Sequence, residues 1–97
     1  MKKITRDSIY AFMNDENFRS SNTEVVVLPN ETILKLFGNE IAYRKNNIGR
    51  TIMITNAGWR TNTTKERLNG IEGVYINQSK GVWYLNGEEW NGRLTEI

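Results

Sequence analysis

The residues best equipped for chemistry in this chain sit in two short stretches. In the first, Asn56-Ala57-Gly58-Trp59-Arg60-Thr61-Asn62-Thr63-Thr64-Lys65, an aromatic ring, three hydroxyls and two cations converge on what reads as the start of a helix. Backbone amides and the dipole at a helix start favour a negative ligand, and Trp59 can stack a base while Arg60 and Lys65 hold its phosphates. The same residues also read as structure, with Trp59 in the core, Thr63 capping the helix and the cations in water. The second stretch, from Lys80 to Gly92, holds Trp83, Tyr84 and Trp90. Strand alternation sends Trp83 and Tyr84 to opposite faces, so one is buried and the other stands on the outer surface of a sheet. There it is either an anchor for a partner or a ring that shields a small sheet. Trp83, Tyr84 and Trp90 are the expected partner-binding residues. Trp59, Arg60, Lys65 and Arg67, with Arg44, Lys45 and Arg50 as phosphate contacts, are the expected anion or nucleic-acid residues.

Much other chemistry is excluded by composition. The chain has no Cys and no His, so it offers no disulfide, zinc finger, thiol nucleophile, imidazole base or Ser-His-Asp triad. A catalytic pair would have to come from carboxylates. Glu88 and Glu89 are adjacent, as are Asp15 and Glu16, but neighbours on a strand point to opposite faces. A pair such as Glu24 and Glu40 would depend on the fold alone. Neither a G-x-x-x-x-G-K-[ST] phosphate loop nor a G-x-G-x-x-G motif is present. The expectation is a non-enzyme with no catalytic residues, no metal site and no cofactor.

The elements that must position these residues are set by turn formers. Ile4 to Met13 reads as a short helix with Thr5 as cap, Asp7 at the positive end of the dipole, and Ile9, Phe12 and Met13 on one face. Asn14 to Asn22 has no periodicity and reads as a loop, with Phe18 pinned at the core edge. From Thr23 onward, β-branched and aromatic runs alternate with turns: Val25–Leu28 ends at Pro29-Asn30, and Thr32–Phe37 at Gly38-Asn39. Ile41–Lys45 then ends at Asn46–Gly49, and Thr51–Thr55 at Asn56–Gly58. Connections this short demand antiparallel neighbours. Thr63 and Glu66 have capping-box spacing and Gly70 suits a left-handed stop, which predicts a second helix of about two turns over 61–70. Val74–Asn77 and Val82–Leu85 form a second hairpin. The fold class is therefore α+β, in the order α-β-β-β-β-α-β-β, an antiparallel sheet with two short helices packed on one face.

With 97 residues, 38% of them hydrophobic and 25% charged, the chain reads as one domain, in which 1–22 form the N-terminal helix and loop and 23–97 the sheet with the second helix. The net charge is +2, unevenly spread: residues 35–67 carry seven basic against two acidic side chains, between mildly acidic ends. Such polarity can steer an anionic partner, although a mixed, solvated surface accounts for it too. No stretch approaches the ~20 apolar residues of a membrane span, and the start turns polar before a signal peptide can form. The Asn-x-Ser/Thr triplets at Asn30, Asn62 and Asn77 read as chance matches among 13 asparagines. A cytoplasmic protein without membrane association is expected, either a monomer or a homodimer.

At Asn56–Trp59, through Asn62–Asn69, to Lys80–Trp90, and again at Ser21–Val25 and Gly38–Ala42, the chain resembles a small, functionally uncharacterised protein family encoded by tailed bacteriophages. The resemblance covers most of the chain from residue 21 and brings no functional residues with it. It implies a phage accessory protein made in the bacterial cytoplasm. Small phage proteins of this kind often bind and disable a host or defence component, so the expected function is a non-catalytic, anti-CRISPR-like inhibitor of a host or defence-system protein. The alternative is a small RNA- or DNA-binding protein. Salt dependence separates the two, since neutralising several phosphates makes affinity fall steeply with ionic strength.

Overall fold

The computed structural model describes residues 1–45 and 51–97. The expected turn over Asn46–Gly49 and the candidate Arg50 lie outside the described residues. Among the described residues the order is α1 (Lys3–Met13), β1 (Phe18–Ser20), β2 (Thr23–Val27), β3 (Glu31–Leu36), β4 (Asn39–Lys45), β5 (Ile52–Ile54), α2 (Asn62–Leu68), β6 (Ile76–Ser79), β7 (Val82–Leu85), β8 (Glu88–Glu89) and β9 (Thr95–Glu96). Strands β1-β2-β3-β4-β5-β9 make one antiparallel sheet and β6-β7-β8 a second. The α+β class is thus observed, with the last hairpin forming its own small sheet instead of extending the first.

The β2–β5 meander follows the β-branched runs, because each strand alternates a core residue with one facing outward. Val25, Leu34, Ala42 and Ile54 are cross-strand neighbours and all are buried. A register shift between Leu34 and Lys35 turns both Ile41 and Ala42 into the core, as a β-bulge does when two residues of one strand oppose one of the next. Helix α1 packs on β1, β2 and β3, and α2 bridges β4 and β6. Phe12, Leu68, Ile71 and Trp83 close the core between them.

Four local expectations are corrected. Helix α1 starts one residue before Ile4, and its N-cap Lys2 makes no side-chain cap bond; Thr5 is buried instead, where its hydroxyl donates to Glu66. Asp7 meets Lys3 at 2.5 Å, a hydrogen bond that holds its carboxyl below the usual value, while Met13 is partly exposed. The segment read as a loop contains β1, because Phe18 pairs with Val25 and packs against the core. Helix α2 is capped by Thr61, whose hydroxyl accepts from the Thr64 amide at 3.1 Å, and Thr63 and Glu66 form no capping box.

Gly70 is the fourth. It has no positive φ, so it is not a left-handed stop. A Cβ at this position would lie 2.6 Å from Thr5 Cγ2 and 2.9 Å from Ile9 Cγ1. Glycine stands here so that the end of α2 can touch α1.

Candidate functional site

Phe37 is 68% exposed and Trp59 56% exposed, and they share a groove of about 420 Å³. Its floor is Leu36 and Ile41, both buried core residues. Asn39, Thr61 and Thr64 supply its polar groups. None of these lining residues is an acid, a base or a cation. The groove can therefore hold an apolar side chain and fix its orientation with a few hydrogen bonds, which is the usual composition of a binding pocket.

Both rims are held in place by the backbone. Phe37 and Gly38 are the two central residues of the β3–β4 hairpin, with φ of 51° and 80°. Two-residue turns with positive φ match the strand twist, and they usually carry Asn or Asp before the Gly. Lys80-Gly81 and Asn86-Gly87 make the same pair of conformations. A phenylalanine in the left-handed region costs about 1–2 kcal/mol, and such strain persists mainly where the side chain is needed. Its amide is tied to Asn22 O at 2.7 Å.

Trp59 sits at the end of a loop with a bond at nearly every residue. The Asn56 amide donates to Gly92 O at 3.0 Å, and the Trp59 amide donates to Asn56 O at 2.8 Å. The Gly58 amide donates to Asn56 Oδ1 at 2.8 Å and the Ala57 amide to Thr55 Oγ1 at 3.1 Å. This Asx turn sends the indole outward instead of into the core. Gly92 must lack a side chain, since a Cβ there would fall 2.0 Å from Asn56 Nδ2.

Beyond Phe37 lies a second, polar depression of about 280 Å³, lined by Arg19, Ser21, Asn22, Thr23, Glu24 and Gly38. Phe37 is the wall between the two. Arg19 and Glu24 are cross-strand neighbours, so the apolar groove has a charged rim of both signs on that side.

The tryptophans expected as anchors in the second stretch are elsewhere. Trp83 is 1% exposed and Trp90 is buried, with ring centroids 6.3 Å apart. Tyr84 is half-buried. The correction has a plain cause: the β6–β8 sheet packs Trp83 inward against α2, leaving two of the three rings to serve the core. Trp90 Nε1 donates to Thr95 Oγ1 at 2.9 Å, which pins β9.

The expected cations are also divided. Arg60 and Lys65 lie over the Trp83 ring, at 5.9 and 5.5 Å from its centroid, in cation–π contacts. Arg60 Nη2 donates to Gly81 O, and Lys65 Nζ donates to Gln78 Oε1 at 2.7 Å. Arg67 is 3% exposed, with Nη1 at 2.5 Å from Glu66 Oε1 and Nε donating to Thr23 Oγ1 at 3.0 Å. Arg44, also 3% exposed, meets Asp15 at 2.6 Å. Lys45 is exposed and 3.4 Å from Glu31. Arg44, expected as a phosphate contact, and Arg67, expected beside Trp59, Arg60 and Lys65 in the anion site, are thus corrected to buried arginines held in ion pairs.

Phe37, Leu36, Asn39 and Ile41 were not candidates from the sequence. The available signal was Phe-Gly read as a two-residue turn; placing the turn at Gly38-Asn39 left Phe37 inside the strand.

Among the described residues no helix is long and apolar enough to cross a membrane. Comparison with curated proteins and with solved structures returns no match. A family match covers residues 1–95, nearly the whole chain, and agrees with the resemblance to a small phage-encoded family. This chain belongs to the Kyanoviridae Gp96 protein family.

Proposed function

We propose that this protein is a non-catalytic phage accessory protein that acts in the host cytoplasm by binding and inhibiting a host or anti-phage defence protein, and that the contact is made at the groove between Phe37 and Trp59. The observation that carries the reading is the pair of exposed aromatic rims over an apolar floor, one of them a strained phenylalanine. Aromatic side chains on rigid backbone dominate interface energies because they bury large area and lose little entropy. The partner would insert an aliphatic or aromatic side chain between the rims and set polar groups against Arg19 and Glu24.

A nucleic-acid role has less support. It needs cations free to track phosphates, whereas Arg44 and Arg67 are buried in ion pairs and Arg60 and Lys65 rest on Trp83.

The test is capture from infected-host lysate with the wild type, Phe37→Ser and Trp59→Ala, followed by titration of the purified captured protein. Both variants should keep the wild-type melting temperature or exceed it, and both should bind at least ~10-fold more weakly, as loss of a hot-spot ring does. Unchanged affinity in both variants removes the groove from the interface. Retention of RNA or DNA at low salt, lost steeply as salt rises, moves the assignment to nucleic acid.

A further inference from the structure

Asparagine followed by glycine is a pair that can react with itself without a catalyst, because glycine puts no side chain around the backbone nitrogen that attacks the side-chain amide. Three such pairs occur here, Asn69-Gly70, Asn86-Gly87 and Asn91-Gly92. The fold treats them differently. Asn69, at the end of α2, commits both amide atoms to β6: Oδ1 accepts from the Ile76 amide at 2.6 Å and Nδ2 donates to Ile76 O at 3.0 Å. The Gly70 amide is engaged too, donating to Arg67 O at 3.1 Å. Asn86 is clamped in the same way, with Oδ1 accepting from the Tyr75 amide at 2.9 Å and Nδ2 donating to Gly73 O at 3.0 Å. Its φ of 51° is fixed by the β7–β8 turn.

Asn91 is held by one atom only. It is exposed, and its Oδ1 accepts from the Arg93 amide at 3.0 Å. Among the described residues neither its Nδ2 nor the Gly92 amide has a hydrogen-bond partner. The Oδ1 contact is an Asx turn, which folds the side chain back over the peptide that follows. It also sets an N–H where negative charge develops on Oδ1 when Cγ is attacked. Gly92 is buried against Asn56, which slows the step without removing the nucleophile.

We propose that Asn91 is a self-modification site, the position at which the folded chain deamidates first and thereby loosens the turn that presents Trp59. Gly92 N gives up its proton to water or hydroxide and bonds to Asn91 Cγ. The Cγ–Nδ2 bond breaks, and Nδ2 takes up a proton and leaves as ammonia. Water then opens the cyclic imide at either carbonyl, giving aspartate or, with the main chain rerouted through the side chain, isoaspartate. No electrons are exchanged, and water is the sole co-reactant. The place of the change gives it a consequence. Gly92 O accepts from the Asn56 amide at 3.0 Å and from Thr55 Oγ1 at 2.6 Å, and Asn56 in turn holds Gly58 and Trp59. Isoaspartate inserts a methylene into the main chain directly before Gly92, so that carbonyl no longer lies under both donors. Either product adds a negative charge to the depression that Asn91 shares with Arg60 and Glu89.

Incubation of the full chain at neutral and mildly alkaline pH, followed by peptide mapping with mass spectrometry and enzymatic methylation of isoaspartate, tests this. In the folded chain, conversion at Asn91 should exceed that at Asn69 and Asn86 at least ~10-fold, because each of those must first break two side-chain hydrogen bonds. Ammonia release should rise with pH. In urea the three sites should converge on similar rates, all faster than Asn91 in the folded chain. Amides of residues 55–59 should exchange hydrogen faster in the aged chain than in the fresh one. Asn91→Gln should fold as the wild type does, release no early ammonia and keep its slow exchange on incubation. Conversion that begins at Asn69 or Asn86, or that runs equally at all three sites in the folded chain, overturns the proposal. So does a folded chain in which Asn91 stays intact while the unfolded chain converts, or an isoaspartate-bearing chain whose 55–59 amides exchange as before.

Discussion

Arg67 Nη1 donates to Thr5 Oγ1 at 2.7 Å, joining α2 to α1 through a buried guanidinium. The same group reaches Glu66, Thr23 and, through Nη2, Asn22 Oδ1 at 3.3 Å, so α1, α2 and the start of β2 share one polar knot. Glu66 is partly exposed and can turn to water when Arg67 is removed, but Arg67→Ala also takes the donor from Thr5, Thr23 and Asn22 and leaves a cavity, and should cost about 2–3 kcal/mol. Arg67→Met should cost less, because it keeps the stem packed. Urea unfolding checks both; a loss under ~1 kcal/mol for the alanine variant would mean the knot is solvated.

Gly70 makes the second contact between the helices. A Cβ would press on Thr5 Cγ2 and Ile9 Cγ1, so Gly70→Ala should destabilise by about 1–3 kcal/mol, as overpacking does. Thr5→Ser deletes the Cγ2 methyl while keeping the hydroxyl for Arg67 and Glu66. In the Gly70→Ala background it should therefore recover part of the loss. Strictly additive costs in this double-mutant cycle would mean that the clash is not the cause.

These two contacts mark where the sequence stops being legible. Strands β2 to β5 could be read because β-branched runs and turn formers act locally. Helix α2 could be read in its extent but not in its ends, since Thr61 and not Thr63 caps it and Gly70 is no left-handed stop. Nothing local distinguishes Arg67 from a solvated cation, since its partner Thr5 is 62 residues away in the chain. Strand alternation likewise shows that Trp83 and Tyr84 part company, but which one faces inward depends on where α2 lands. Trp59 looks like a core residue until the Asx turn at Asn56 directs it outward. The groove was invisible for a narrower reason, a one-residue shift in the β3–β4 turn.

Tyr43 gives strand β4 a pH signature. Burial, then the hydrogen bond to Glu40, push its phenol up from 10.0 to about 12. Above pH 10 the unfolded chain releases this proton before the folded chain does, so the folded state binds more protons and stability falls as pH rises. The contribution is complete below pH 10 and lost on passing pH 12. Tyr43→Phe should abolish this part of the slope, measured as the difference between the two proteins in denaturant unfolding at pH 9 and pH 11. Parallel slopes would mean that Tyr43 titrates normally.

Phe37 yields the prediction that separates structure from function. Its φ of 51° is a conformation that asparagine adopts readily and phenylalanine does not. Only its ring, 68% exposed on the rim of the groove, gains anything from the position. Phe37→Asn should therefore raise stability by about 1 kcal/mol and at the same time weaken partner capture. Most substitutions that weaken binding by damaging the fold move both quantities down, so opposite signs are diagnostic. Thermal unfolding gives the first and titration with the captured partner the second. A variant that is both less stable and unimpaired in binding would mean that Phe37 supports the hairpin and that the groove has another purpose.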